Sequence, residues 1–401
     1  MAIRSILVTG GAGYIGSHLV DRLVLRGYDV TVLDNLEPQV HRSGTWPSYA
    51  NPRAKYVLGD VRDRARFEPL VLTSDAIVHF GAAVSVGQSM YQVDRYVDVN
   101  TRGTALLLDI LVNTRHHVEK VLVASSIGVY GEGAYRCAHC GPVAPGIRSA
   151  EQLAKQDWEQ RCPQCGQHVA SMPTAEDKPL YRDNIYSMTK YHQEEMVLLI
   201  GKTYGIPAVA PRFFNVYGPR QSLSNPYAGV AAIWLTRLLN DKQPVVFEDG
   251  GQLRDFVSIH DVVDCLMLMI ESSGADFLPV NVGAGQAITI LEIARLLSRL
   301  VGKSIEPHVT LTGRKFDIRH NTADISRARD TLGFQPKVTL EQGFGELIEW
   351  ARATPGVAED FFDRALQELQ DKGLLVQGSA AGWCRPVAEE LRTWRPAVAS
   401  F

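Results

Sequence analysis

Short apolar runs alternate with longer amphipathic stretches along most of the chain. Residues 3–8 (IRSILV), Asp29–Leu33, 55–58, Ala76–Phe80 and Lys120–Ala124 read as buried strands, and Ala208–Arg212 and Val280–Val282 as later strands of the same sheet. Such short apolar runs are expected of strands covered on both faces. Between them the spacing predicts helices over about Tyr14–Arg26, over 63–72 and over a long stretch near 94–114. Strands alternating with helices mean βαβ units, so the fold class is α/β with a doubly wound parallel sheet. No internal repeat is evident.

Two segments break this pattern. Residues 135–173 are rich in Cys, Pro and Gly, hold one short helical stretch (Ser149–Gln160), and read as an inserted module. Residues 355–401 follow an ordinary-looking end near Trp350. They contain an amphipathic helix, about Val357–Lys372, and a tail with Trp and Pro. Packing or an oligomer contact is the expected role of this extension.

The first strand runs into Thr9-Gly10-Gly11-Ala12-Gly13-Tyr14-Ile15-Gly16, and a helix opens there. Gly10, Gly13 and Gly16 let the backbone approach a pyrophosphate, and the helix N-terminus offers free N–H groups and positive potential. Asp34 closes the second strand, 18 residues after Gly16. A carboxylate there accepts hydrogen bonds from ribose hydroxyls and repels a 2′-phosphate, which favours NAD over NADP. Asp60-Val61, closing the third strand, is placed to flank adenine. Gly81-Ala82-Ala83, closing the fourth, leaves room for the cofactor.

The fifth strand ends at Ser125 and Ser126, where ligands of such sheets bind. Farther on, Tyr186 and Lys190 stand at i and i+4 of one predicted helix face. A nearby ammonium and a cationic nicotinamide ring are expected to lower the phenol pKa and make Tyr186 a base near neutral pH, with Ser126 holding the substrate oxygen.

Cys137-Ala-His-Cys140-Gly and Cys162-Pro-Gln-Cys165-Gly are paired knuckles separated by 21 residues. Four thiolates in this arrangement suit tetrahedral Zn²⁺ at about 2.3 Å per sulfur, a closed and therefore structural site. Two redox pairs, a rubredoxin-type iron site and free thiols are the alternatives. His139 and His168 are expected bystanders, and Cys265 a core residue in an apolar helix. The insert separates Ser126 from Tyr186, so it must emerge near the mouth of the site. There it is expected to shape or lid the pocket, or to serve as a dimer contact.

TGGAGYIG, SSIGVYG, YSMTK, PRFFNVYGP (Pro211–Pro219) and LRDFVSIHDV (Leu253–Val262) resemble the extended short-chain dehydrogenase/reductase family, and within it the nucleotide-sugar 4-epimerases. The resemblance runs from residue 3 to about 350, interrupted at the insert. It implies tightly held NAD in a Rossmann domain (1–134 and 174–212) and a mainly nucleotide-sugar-binding domain (213–354) with strands returning to the sheet. Residues 135–173 would then be a zinc-ribbon insertion and 355–401 a helical extension. It also implies that Ser126, Tyr186 and Lys190 are catalytic, that Asn215 and Arg254 meet the substrate diphosphate, and that Arg314, ahead of Asp317, lies near the nucleotide. The expected cofactor set is Gly10, Gly13, Tyr14, Ile15, Gly16, Asp34, Asn35, Asp60, Val61, Phe80, Gly81, Ala82, Ala83, Asn100, Ser125, Tyr186 and Lys190. Val84, Ser85, Ser126, Asn215, Arg254, Arg314 and Asp317 are expected at the substrate.

One departure narrows the reaction. The dehydratases of this family carry Asp-Glu directly after the strand-end hydroxyl, and the decarboxylases a Glu in this region. Here the positions are Ile127 and Gly128, which cannot exchange protons. A 4-epimerase reading leads, followed by a 4-ketoreductase using NAD(P)H and a non-catalytic NAD sensor. A cysteine insert at this place, together with Gln88-Ser89-Met90-Tyr91, resembles a subgroup of dTDP-6-deoxysugar epimerases of the dTDP-L-rhamnose 4-epimerase kind. A dTDP-sugar is therefore favoured over a UDP-sugar. The family also implies a homodimer through the helices near 94–114 and 186–202.

Composition is ordinary for a globular protein. Of 401 residues 45% are hydrophobic and 21% charged, and the net charge is −3. No basic field is available for nucleic acid as partner. No apolar run approaches the length of a membrane span, and no secretory signal is evident, so the expected compartment is the cytoplasm.

Overall fold

The computed structural model describes residues 3–227, 229–354 and 358–377. Seven parallel strands form the central sheet, in the spatial order Leu278–Val282, Ala208–Phe213, Lys120–Val123, Ala76–His79, Ser5–Thr9, Asp29–Asp34 and Lys55–Leu58. The two-residue strand Ser125–Ser126 extends the sheet beside Arg212 and Phe213. Chain order reverses between Ser5–Thr9 and Ala76–His79, and the crevice outside the carboxyl ends of a sheet at such a point is where ligands bind.

Alternation along the first strand shows how both faces are buried. Ile6 and Val8 point to one side, where they meet Leu19 and Leu23 of helix Tyr14–Leu25 and Val262 and Leu266 of helix Ile259–Glu271. Leu7 points to the other side, into a cluster with Leu107 and Leu111 of helix Gly103–Asn113 and Val197 of helix Ile185–Tyr204. Each fully buried aliphatic side chain contributes roughly 1.5–3 kcal/mol relative to exposure.

The long helix expected near 94–114 is broken. Val93–Tyr96 leads into a π-helical turn, Val97–Arg102, before Gly103–Asn113 resumes. A Cβ on Gly103 would lie 2.8 Å from Val61 Cγ2, and the extra residue of the turn carries Asn100 inward to complete burial. Such turns cluster at functional sites.

A second sheet lies beside the first. Its order is Ile288–Thr289, Leu253–Arg254, His320–Ala323, Ala170–Thr174, Ala134–Cys137 and Gly141–Val143. The last three strands belong to the cysteine insert. The insert is therefore joined by parallel pairing, Thr322 with Pro173 and Ala323 with Thr174, to the segment that carries Arg314 and Asp317. Its helix is shorter than expected, Ala150–Ala154. Gln156 takes φ +56°, and the Gln152 amide donates to Asp157 O and Glu159 O, which turns the chain back.

The described part of the extension forms helix Phe362–Asp371, which starts later than expected because Asp360 accepts from Phe362 N. Strand Leu375–Gln377 follows and pairs antiparallel with Thr312–Arg314. The Trp- and Pro-containing tail lies outside the described residues. Among those described, no helix is long and apolar enough to cross a membrane.

Candidate active site

Gly10 adopts φ +69°, and a Cβ there would stand 2.9 Å from Gly81 N. A Cβ on Gly16 would stand 2.3 Å from Gly10 O. The turn thus packs backbone on backbone and leaves the helix N-terminus open to the crevice. Asp34 is fixed at its rim: one carboxylate oxygen accepts from Ala12 N (3.1 Å), the other from Leu36 N (2.9 Å).

A cavity of about 430 Å³ fills the crevice. Gly10, Gly13, Tyr14, Ile15, Gly16, Asp34, Asn35, Asp60, Val61, Phe80, Gly81, Ala82, Ala83, Val84, Ser125, Ser126, Tyr186, Lys190 and Asn215 all line it. Backbone that must stay bare, a rim carboxylate and a helix N-terminus suit a dinucleotide. Asp60 is already engaged: the Arg62 guanidinium forks onto it and Asn35 adds a bond, which holds its carboxyl down at about 2.

Asn100 stands behind the cavity lining, where it accepts from Ala83 N (2.7 Å) and donates to Ala83 O and Thr189 Oγ1. It ties the end of the fourth strand to the helix bearing Tyr186. Ser85 also stays out of the lining, because its hydroxyl accepts from Gln88 N and starts a short helix.

Helix Ile185–Tyr204 is placed at its first turn. Asn184 accepts from Ser187 N, and Ser89 Oγ accepts from Tyr186 N at 3.0 Å. The Tyr186 hydroxyl then hydrogen-bonds Ser126, and Lys190 Nζ donates to Ala124 O at 3.1 Å. Burial dominates the electrostatics of the protein's own groups here. Burial pushes Tyr186 up to about 12, against the pull of the Ser126 bond, and burial pushes Lys190 down to about 7. Lys190 does not by itself bring the phenol into range. A Cβ on Gly128 would lie 2.5 Å from Ser187 Oγ, so a side chain at that position would have to displace the Ser187 hydroxyl.

Arg254, Arg314 and Asp317 are brought together, but just outside the cavity lining. Arg314 donates twice to Asp317 (3.0 and 2.6 Å), and Arg254 lies 3.5 Å from the same carboxylate. Arg254 also donates to Leu253 O, Arg319 O and Ile318 O.

Sequence reasoning missed Gln221, Ser222 and Asn225, which line the cavity from a coil with no periodicity. It also missed Glu194 and Arg212. Glu194 had a signal, since it continues the i, i+4 series of Tyr186 and Lys190 on one helix face.

The four cysteine sulfurs of the insert lie within 4.8 Å of one another, and Cys137 and Cys165 are 3.6 Å apart. Sulfurs about 2.3 Å from one tetrahedral ion would be roughly 3.8 Å apart, so the donor set fits a closed metal site. Backbone N–H groups of Cys140 and His139 hold the Cys137 thiol down at about 6. Cys265 is fully buried in the core, as expected.

A sequence profile of the NAD dependent epimerase/dehydratase family matches residues 6–150 and 163–283. The chain is similar to a dTDP-L-rhamnose 4-epimerase of Burkholderia thailandensis, 36% identical over 351 residues that span 86% of this chain and 94% of that relative. It is also similar to the structure of UDP-glucose 4-epimerase of Thermotoga maritima with UDP-glucose. There the TM-score is 0.71 at 30% identity, covering 87% of this chain and 99% of the other. A UDP-glucuronic acid 4-epimerase of Bacillus cereus, in complex with UDP-glucuronic acid and NAD, superposes with TM-score 0.70 at 25% identity, covering 87% and 99%.

Proposed function

Because the chain belongs to the NAD dependent epimerase/dehydratase family, we propose that it is an NAD-dependent nucleotide-sugar 4-epimerase whose substrate is a dTDP-linked 6-deoxyhexose. The observation that carries the reading is one cavity lined both by the Asp34-rimmed glycine turn and by Ser126, Tyr186 and Lys190. The similarity to a dTDP-L-rhamnose 4-epimerase supports the dTDP-sugar, while the structural relatives named for UDP-sugars make UDP the competitor to test.

Bound NAD would supply a hydride acceptor and then donor at C4 of the sugar. Tyr186 takes the proton of the C4 hydroxyl and later returns it. Ser126 holds the same oxygen, and Lys190 places positive charge behind the phenol. The raised phenol pKa means that further positive charge in the cavity is needed to ionise Tyr186 at neutral pH. The 4-keto sugar turns within the cavity, tethered through its diphosphate by Asn215, Arg254 and Arg314. With Ile127 and Gly128 following Ser126, the chain carries no acid there for water elimination.

Cys137, Cys140, Cys162 and Cys165 would hold a structural Zn²⁺ that staples the insert. A homodimer would form through the helices near 94–114 and 186–202, and on and beside them Val93, Val97, Met188, Leu199 and Tyr204 are exposed. The protein would work in the cytoplasm.

The test is incubation of the as-purified protein with dTDP- and UDP-hexoses and 6-deoxyhexoses, with the C4 proton followed by NMR. Inversion without added NADH supports the epimerase, and its abolition in Tyr186→Phe supports the assigned base. NAD(P)H consumed one-for-one with substrate would make the protein a 4-ketoreductase. No turnover of any of these compounds would return it to an NAD-binding sensor.

A further inference from the structure

A buried arginine of the insert reaches the substrate side. Arg148 lies between strand Gly141–Val143 and helix Ala150–Ala154, and its side chain is 1% exposed. It forks onto Glu248, whose side chain is 0% exposed, at 2.9 and 2.8 Å. The same guanidinium donates to Trp158 O of the insert (2.9 Å) and to Asp317 O (3.2 Å).

Those partners lead to the arginines beside the cavity. Glu248 also accepts from Arg319 at 3.1 Å. Arg319 O and Ile318 O in turn accept from Arg254, at 2.9 and 2.7 Å. The Asp317 carboxylate holds Arg314. A second strut comes from Glu159 of the insert, which accepts from Arg319 and pairs with His320. Arg148 itself stays away from the cavity.

We propose that Arg148 is a positioning residue for the diphosphate site: it braces Glu248 and the 317–319 backbone, so that Arg254 and Arg314 are held in place from the insert side. This rests on the reading that those two arginines bind the substrate diphosphate. The physical case is that buried guanidinium forks fix geometry in a way a single ammonium cannot. An arginine committed to backbone carbonyls also moves when the backbone moves. The insert therefore acts through the substrate affinity and leaves the proton chemistry alone.

The test compares wild type with Arg148→Met and Arg148→Lys, reading kcat and KM for the sugar nucleotide, calorimetric binding of dTDP and UDP, and NAD per chain. The expected result for Arg148→Met is a KM and nucleoside-diphosphate Kd raised about tenfold or more, with kcat changed less than about threefold and NAD content unchanged. Arg148→Lys recovers part of the loss. Should Arg148→Met fail to fold, Glu159→Gln replaces it, since Glu159 is partly exposed, and the same split is expected at about threefold. Unchanged nucleoside-diphosphate binding in a folded variant, or a fall in kcat and NAD content together, overturns the brace. If wild type itself binds neither dTDP nor UDP, the functional reading fails instead.

Discussion

Glu194, on the helix that carries Tyr186 and Lys190, forms a buried ion pair with Arg212 of strand Ala208–Phe213. Arg212 Nε lies 3.0 and 3.2 Å from the two carboxylate oxygens, and its Nη2 makes a further close contact. Ser125 Oγ donates to the same carboxylate at 2.5 Å. The pair thus links strand Ala208–Phe213, the strand-end serines and the helix face of the base. Arg212 also donates to Tyr130 OH and Glu176 O, so its charge is well satisfied.

Breaking this pair by removing one partner leaves an uncompensated buried charge. Glu194→Ala is expected to cost about 3–5 kcal/mol in urea unfolding. Glu194→Gln keeps an acceptor for Ser125 and should cost less. A loss below about 1 kcal/mol for Glu194→Ala would show that the pair is solvated in solution.

His79 predicts acid sensitivity. It is fully buried between Thr9 Oγ1 (2.9 Å) and Thr104 Oγ1 (3.1 Å). Burial first, and the Lys190 charge second, push it from 6.5 down to about 3. The folded chain keeps this ring neutral, whereas the unfolded chain takes up a proton below 6.5. The stabilisation is therefore complete above pH 6.5 and is lost as the pH falls from there toward 3. His79→Gln should remove one proton's worth of this slope, about 1.4 kcal/mol per pH unit. His18, pushed down to about 4 mainly by burial, leaves its own share in place. Urea midpoints at pH 7.5 and 5 check this; identical slopes in both proteins would refute it.

What could be read in the sequence was what the chain places close together. Gly10, Gly13, Gly16 and Asp34 follow from one βαβ unit, and Tyr186 with Lys190 from one helical turn. The cysteine knuckles carry their own spacing. Glu194 with Arg212, and Arg148 with Glu248, are pairings across 18 and 100 residues that no local period marks. The inward turn of Asn100 was not legible, because the π-helical turn that carries it goes with tertiary packing such as the close approach of Gly103 to Val61. The direction of the Tyr186 shift followed burial, a tertiary property, more than its helical neighbour. The lateral fusion of the insert to the second sheet likewise rests on strand pairing between distant segments.

Asp34 predicts the cofactor preference. Both its oxygens are held by backbone N–H groups, so the carboxylate stays at the rim instead of swinging away from a 2′-phosphate. Asp34→Ala should weaken NAD binding by about 10- to 100-fold and narrow the preference over NADP by a similar factor. Fluorescence titration of cofactor-stripped protein measures both. An unchanged NAD/NADP ratio would remove Asp34 from the cofactor site.

Metal removal tests the cysteine cluster. Metal analysis is expected to give one zinc per chain, released on thiol modification together with all four sulfurs. Cys137 and Cys162 are buried with Tyr135 and Val169, so Cys137→Ser should lower the melting temperature as well as abolish zinc. Zinc-free protein that melts at the wild-type temperature would argue for free thiols or redox pairs.

Truncation after Thr354 tests the extension. The described part touches several regions at once. Glu359 pairs with Arg42, Glu368 accepts from Tyr91 OH at 2.9 Å and contacts Tyr227, and Leu375 pairs with Arg314. Val376 is buried against Leu153 and Trp158 of the insert. These contacts tie the first sheet's loops, the substrate-side segment and the insert into one wall, and one end of that wall is the strand carrying Arg314. Val376→Ala alone should cost roughly 1–2 kcal/mol, from two lost methyl groups at about 0.8 each. Full truncation should lower the melting temperature and raise KM for the sugar nucleotide while NAD content holds, because the glycine turn and Asp34 lie elsewhere. A truncated protein with wild-type KM would show that the extension packs against the site without shaping it.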